Sequence, residues 1–207
     1  MSDAKPRFMF HPSDELALGP LRCAWGPHRH GTSAEALVRP WLAATLGLPV
    51  DALPLRRDAL GRPRLDPPAL DTDVSWSHSG ERLLVALGRG VQLGADLELL
   101  RPRPRALALA ERFFAPAETQ LLAALPAATR EAAFVRLWCA KEAVLKAHGR
   151  GLAFGLHRLE FALRDGDWAL VACDPELGQP SDWALHAFTP MPGYLASLAW
   201  RPLPPPP

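Results

Sequence analysis

The chain has 207 residues, 48% of them apolar, and its 23 Lys and Arg nearly balance 22 Asp and Glu for a net charge of +1. That apolar content can build a core and excludes a wholly disordered chain, while near-neutrality excludes nucleic acid as the main partner, which calls for a basic excess. Proline is the outlier, with 23 copies, roughly double the usual share.

Taken in chain order, residues 1–14 carry charges and two prolines but no apolar run, so no secretory signal is expected. No later stretch approaches the ~20 apolar residues of a bilayer span, so the expected setting is the cytoplasm, without a membrane partner. The first 30 residues offer only short extended pieces. Thr32 and Glu35 have capping-box spacing, and Leu37, Val38, Trp41 and Leu42 follow at helical steps. Pro40 should interrupt that helix and Gly47 should close it. Residues 48–73, around Gly61-Arg62-Pro63, read as irregular, and 83–87 and 91–98 read as strands on either side of Gly88-Arg89-Gly90.

From residue 104 the period changes. Helices are expected over 106–114, from Pro116 to 125, and over 131–148 with Gly149 as the stop. Strands 159–163 and 168–173 flank Asp165-Gly166, a tight-hairpin signal, and strands 183–188 and 194–200 complete the set. The pattern predicts an α+β protein of two helix-plus-antiparallel-sheet halves, 1–101 and 102–201, with a disordered Pro-rich tail at 202–207. Cys23, Cys139 and Cys173 are odd in number and widely spaced, so they read as buried thiols of a reducing compartment. The prolines avoid 69–101 and 127–174, the stretches that must hydrogen-bond as strands and a long helix.

Those two stretches also hold the residues able to do chemistry. Asp96 and Glu98, two apart on a strand, point to one face. Paired carboxylates there suit a hard divalent cation such as Mg²⁺, or else simply decorate a solvated edge. In Trp138-Cys139-Ala140-Lys141-Glu142-Ala143-Val144-Leu145-Lys146, Trp138, Glu142 and Lys146 share a helix face, with Lys141 about a quarter-turn away. A carboxylate flanked by lysines can serve a metal and a phosphate, or be an ordinary surface pair. Ser75-Trp76-Ser77-His78-Ser79-Gly80, placed just before a strand, offers donors for a phosphate or a ribose. A Ser/His hydrolase is the competing reading, but no Gly-x-Ser-x-Gly elbow is present. His28 and His30 have no partner at zinc spacing and read as loop residues.

In order, Gly61-Arg62-Pro63, Ser75-Trp76-Ser77-His78-Ser79-Gly80, Gly94-Ala95-Asp96-Leu97-Glu98, Arg112-Phe113-Phe114-Ala115-Pro116-Ala117-Glu118 and the run from Phe134 to Leu152 resemble the 4′-phosphopantetheinyl transferases of the Sfp type. The resemblance covers roughly residues 37–163. It implies a pseudo-dimer of two similar α+β halves with coenzyme A in the cleft between them. It also implies transfer of 4′-phosphopantetheine from coenzyme A to a serine of an apo acyl or peptidyl carrier protein, releasing 3′,5′-ADP. Asp96, Glu98 and Glu142 match the Mg²⁺ ligands. Arg62 and His78 match contacts to the 3′-phosphate end with Ser77 nearby, and Lys141 and Lys146 match the signature lysines, Lys146 being the better choice for the pyrophosphate. Glu142 is the nearest base for the serine proton, and a monomer is the expected working unit. A carrier-binding module without catalysis and a Mg²⁺-dependent phosphodiester or pyrophosphate hydrolase are the alternatives.

Overall fold

A computed structural model describes residues 15–203 of the chain; the expectations for residues 1–14 and for 204–207 of the tail lie outside them. Strands β1 (Glu15–Leu18) and β2 (Leu21–Pro27) form a hairpin, followed by helix α1 (Ala34–Leu46) and the short ribbon of β3 (Leu55–Arg57) and β4 (Pro63–Leu65). Next come β5 (Thr72–Ser79), β6 (Arg82–Arg89) and β7 (Val91–Leu99). Helices α2 (Ala106–Phe113), α3 (Pro116–Ala124) and α4 (Ala127–His148) lead to the hairpin β8 (Leu159–Arg164) and β9 (Asp167–Cys173), then to β10 (Ala184–Phe188) and β11 (Tyr194–Pro202). The expected α+β class with antiparallel sheets is what the chain adopts.

Two sheets dominate, with strand orders β1-β2-β6-β5 and β10-β11-β7. They stack face to face: Leu21, Cys23, Leu84 and Ala86 of the first meet Leu93, Ala95, Leu97 and Leu198 of the second. The outer face of the first sheet is covered by α1, whose Val38, Trp41 and Leu42 bury against Val74, Leu83 and Val85. The outer face of the second is covered by α4, with Ala143, Val144 and Ala147 in one core with Leu195 and Ala199. The alternation of apolar positions along each strand thus produces helix, sheet, sheet, helix in four layers. β7 runs in sequence from β6 but pairs with β11, so it joins the helix-rich second part to the first.

Several local expectations need correction. The Ser-Trp-Ser-His run lies just before a strand, β6, as expected, but it is itself part of a strand, β5. The N-terminal pieces make the β1–β2 hairpin that forms an edge of the first sheet. α1 passes through Pro40 without ending, because its buried face packs on β5 and β6, and its cap is Ser33 in place of Thr32, accepting from the Ala36 N–H. Pro202 ends strand β11, opposite Val91, and does not begin a tail. Gly47 and Gly149 close their helices in the left-handed conformation, as expected.

Candidate active site

The site is organised by a row of short polar side chains at every second position of β5: Asp73, Ser75, Ser77 and Ser79. All four face β7. Asp73 accepts from the Leu93 N–H at 2.8 Å, Ser75 from the Ala95 N–H at 3.0 Å and Ser79 from the Leu99 N–H at 3.1 Å. These side chains take the place of strand carbonyls, so β5 is stitched to β7 at a constant offset of about 20 residues. Ser77 breaks the pattern: its hydroxyl donates to the Asp96 carboxylate at 2.9 Å.

Asp96 is 4% exposed and faces α4. Its Oδ1 receives the Lys146 ammonium at 2.6 Å, and Lys146 also reaches the Ser77 hydroxyl at 2.9 Å. The Asp96 Oδ2 is buried with no partner among the described residues. Burial opposes the charge on Lys146, but the carboxylates of Asp96 and Glu142 outweigh it and hold the ammonium above its ordinary value. One helical turn back, Glu142 is pushed up to about 7, first by burial and then by the Asp96 carboxylate. Glu98 is raised for the same two reasons, while the Arg103 guanidinium at 2.7 Å and the Ser79 hydroxyl at 3.2 Å hold it. The three carboxylates therefore feel one another. Even so, among the described residues no group of three His, Cys, Asp or Glu is close enough to hold a metal ion. Arg103 draws on Glu98, and Lys146 occupies Asp96.

Of the expected ligand contacts, Lys141 is placed in the core and Arg62 is largely engaged within the protein at the edge of a hollow. Lys141 is fully buried, bonded to Glu118 at 2.7 Å and to the Leu156 and Leu159 carbonyls, beneath the rings of Phe114 and Phe161. The quarter-turn between Lys141 and Glu142 puts them on different sides of α4: Glu142 faces the carboxylates and Lys141 faces the core. Burial pushes Lys141 down to about 8 and pushes Glu118 up, with the ion pair opposing both shifts. Glu118 also accepts from the Ala115 and Phe161 N–H groups, so the pair is a structural centre. Arg62 is 7% exposed and uses four of its five donors within the protein, two on Asp73, one on the Leu93 carbonyl and one on the Lys146 carbonyl, while still lining the hollow beside Lys146. It braces the end of α4 through the Lys146 carbonyl.

An open cleft of about 510 Å³ lies beside Lys146, lined by Ser33, Glu35, Arg57, Trp76, Ser77 and His78. It meets a second hollow of about 230 Å³ that shares Arg57, Trp76 and Lys146 and extends to Gly149, Arg150 and Gly151. Arg57 lies over the Trp76 ring at 5.0 Å and pairs with Glu35 at 3.1 Å. His78 is exposed on the cleft wall, where burial and the positive charges of His28, Lys146 and His30 lower its affinity for a proton. Asp96, Glu98, Glu142, Lys146, Ser77 and His78 are thus gathered around β5, β7 and α4. Residue-by-residue reading missed Asp73 and Arg103 and read Ser75 and Ser79 as ligand donors where they bond to β7, although the period-two row in β5 was available as a signal. An edge of cation and carboxylates beside an open cleft can hold a polyphosphate ester and shift a proton.

Comparison with known proteins agrees with that chemistry. Residues 92–198 match the profile of the 4'-phosphopantetheinyl transferase superfamily. The 4'-phosphopantetheinyl transferase HetI of Nostoc sp. is 33% identical over 198 residues, covering 92% of this chain and 80% of its own. Slr0495 of Synechocystis sp. is 35% identical over 151 residues, 70% of this chain and 60% of its own. The 4'-phosphopantetheinyl transferase psf-1 of Bacillus pumilus is 33% identical over 144 residues, 69% of this chain and 60% of its own. The chain thus spans under two thirds of two of these curated relatives and four fifths of the third.

Proposed function

Since the chain belongs to the 4′-phosphopantetheinyl transferase superfamily, we propose that it transfers 4′-phosphopantetheine from coenzyme A to a serine hydroxyl of an apo acyl or peptidyl carrier protein. The serine oxygen bonds to the β-phosphorus, the bond to the bridging oxygen breaks, and 3′,5′-ADP leaves. The reading is carried by one observation: Lys146 is bonded to Asp96 and Ser77 at the edge of the cleft, with Glu142 one turn away at about 7. A cytoplasmic monomer built from the halves 1–101 and 102–201 is part of the same proposal. No helix among the described residues is long and apolar enough to cross a membrane.

The Lys146 ammonium supplies fixed positive charge for the pyrophosphate and for the leaving group, pre-aimed by its two bonds. Glu142, whose ordinary range is moved toward neutrality, accepts the serine proton. His78 meets the nucleotide end from the cleft wall, and Arg57 over Trp76 lines the same route. Ser77 orients Asp96 and Lys146 together. Asp96, Glu98 and Glu142 do not stand at ligand distance from one common point, but the buried, unpartnered Oδ2 of Asp96 and the mutual repulsion of the three suit a hard oxygen-seeking cation, and these are the residues that would hold Mg²⁺. Bound there, that ion would supply positive charge to the pyrophosphate.

The test follows 3′,5′-ADP by chromatography with coenzyme A, Mg²⁺ and an apo carrier, beside the same carrier with its modified serine changed to alanine. Release should require the serine. Equal release with the alanine carrier contradicts transfer and favours a pyrophosphate hydrolase.

A further inference from the structure

His28 ends up in a more determined place than its loop-like sequence implies. It follows directly on β2 and is only 5% exposed. Its backbone N–H donates to the Glu81 carbonyl at 2.8 Å, which ties it to the β5–β6 turn. Its ring Nε2 lies 3.1 Å from the Thr32 carbonyl, just ahead of the Ser33 cap of α1. One face of the ring lies on His78: the two imidazoles stack with centroids 4.4 Å apart and planes 19° from parallel. A buried ring bonded at Nε2 on a backbone that is itself tied down is held in place, while His78 on the rim of the cleft would otherwise turn freely about its side-chain torsions.

We infer that His28 is a positioning residue: its ring fixes the plane of the His78 imidazole so that His78 presents a nitrogen to the phosphate of the nucleotide donor. This rests on the reading of the cleft as the coenzyme A site. The Thr32 contact makes Nε2 the donor of His28 and leaves Nδ1 buried without a partner among the described residues, and the contact with His78 is made by the face of the ring. Lys146 and His30 are the other cationic groups that face His78, and neither stacks on it. A flat ring of similar size should therefore do the work of His28, and a small side chain should not.

The experiment measures KM and kcat with coenzyme A and with 3′-dephospho-coenzyme A for the wild type, His28→Ala, His28→Phe and His78→Ala. We expect His28→Ala to raise KM for coenzyme A five- to twentyfold with kcat within twofold, and to leave KM for the dephospho donor unchanged. His28→Phe should stay within twofold of the wild type for both donors. An unchanged KM in His28→Ala, or an equal rise for both donors, overturns the positioning role. His78→Ala separates the two levels of the argument. If its KM for coenzyme A is normal, the assignment of the cleft wall to the phosphate falls. If His78→Ala is impaired for coenzyme A alone while His28→Ala behaves as wild type, only the role of His28 falls.

Discussion

Glu142 shows how a single residue can be both a weakness of the fold and its chemical asset. Its folded value is about 7 against an ordinary 4.5. An acid raised in this way binds its proton more tightly in the folded state, so stability is greatest while Glu142 is protonated and declines as pH rises from about 4.5 to about 7. The shift corresponds to about 3 kcal/mol. In metal-free protein, Glu142→Gln should therefore be more stable than the wild type at pH 8 and equal to it near pH 4, as read by urea denaturation. Added Mg²⁺ should stabilise the wild type at pH 8 far more than the variant. The same substitution should reduce transfer by a hundredfold or more, a typical scale for losing a proton acceptor. Lys146→Ala should also remove most transfer, since no other ammonium contacts both Asp96 and Ser77 among the described residues. Much of this was legible from spacing. Asp96 and Glu98 share a face by strand period, and Glu142 and Lys146 by helix period. What spacing cannot give is competition for those groups. Arg103 on Glu98 and Asp73 on Arg62 are pairs of residues that only the fold brings together.

Among the elements, α4 and β7 decide whether the site forms. They approach so closely at Gly94 that a Cβ there would lie 1.9 Å from the Ala143 carbonyl oxygen and 2.5 Å from the Ala147 nitrogen. Gly94→Ala must push the helix off the strand. It should cost about 3 kcal/mol or more, beyond the usual range of overpacking, and should lower activity by displacing Glu142 and Lys146 from Asp96. A matching prediction concerns the other side of the helix. Lys141→Ala leaves the Glu118 carboxylate fully buried without its cation, which should cost about 3–5 kcal/mol. Its effect should therefore appear in the denaturation midpoint, in contrast to Lys146→Ala. α4, the β8–β9 hairpin and their glycine stops were readable because apolar period, Asp-Gly and Gly149 all agree. β5 was hidden because its strand period is carried by Asp and Ser on one side, a polar row that reads as loop until a neighbouring strand accounts for its hydrogen bonds.

Across the whole molecule, the two stacked sheets are joined by side chains as well as by packing. Asp73 accepts from the Leu93 N–H and from Arg62, and Arg62 reaches on to the Lys146 carbonyl at the end of α4. The first sheet thereby sets the position of a helix that packs on the second. Asp73→Ala would strand a buried guanidinium and an N–H at once, and should cost about 3–5 kcal/mol with a loss of cooperativity between the two sheets. The class of the fold was legible from the alternation of elements. The partnership of β7 with β11 was not, because nothing local to either strand specifies a pairing across about 100 residues. The proline distribution now has a structural meaning: from 69 to 101 lie the three strands that stack and stitch, and from 127 to 174 lie α4 and its supporting hairpin.

The central claim is that this arrangement moves a phosphopantetheine group onto a carrier. It is tested most directly by the intact mass of an apo acyl or peptidyl carrier protein after incubation with the chain, coenzyme A and Mg²⁺. The account predicts one phosphopantetheine adduct per carrier, located on a single serine and absent with Glu142→Gln. Carriers of both kinds that keep their apo mass under these conditions would contradict it.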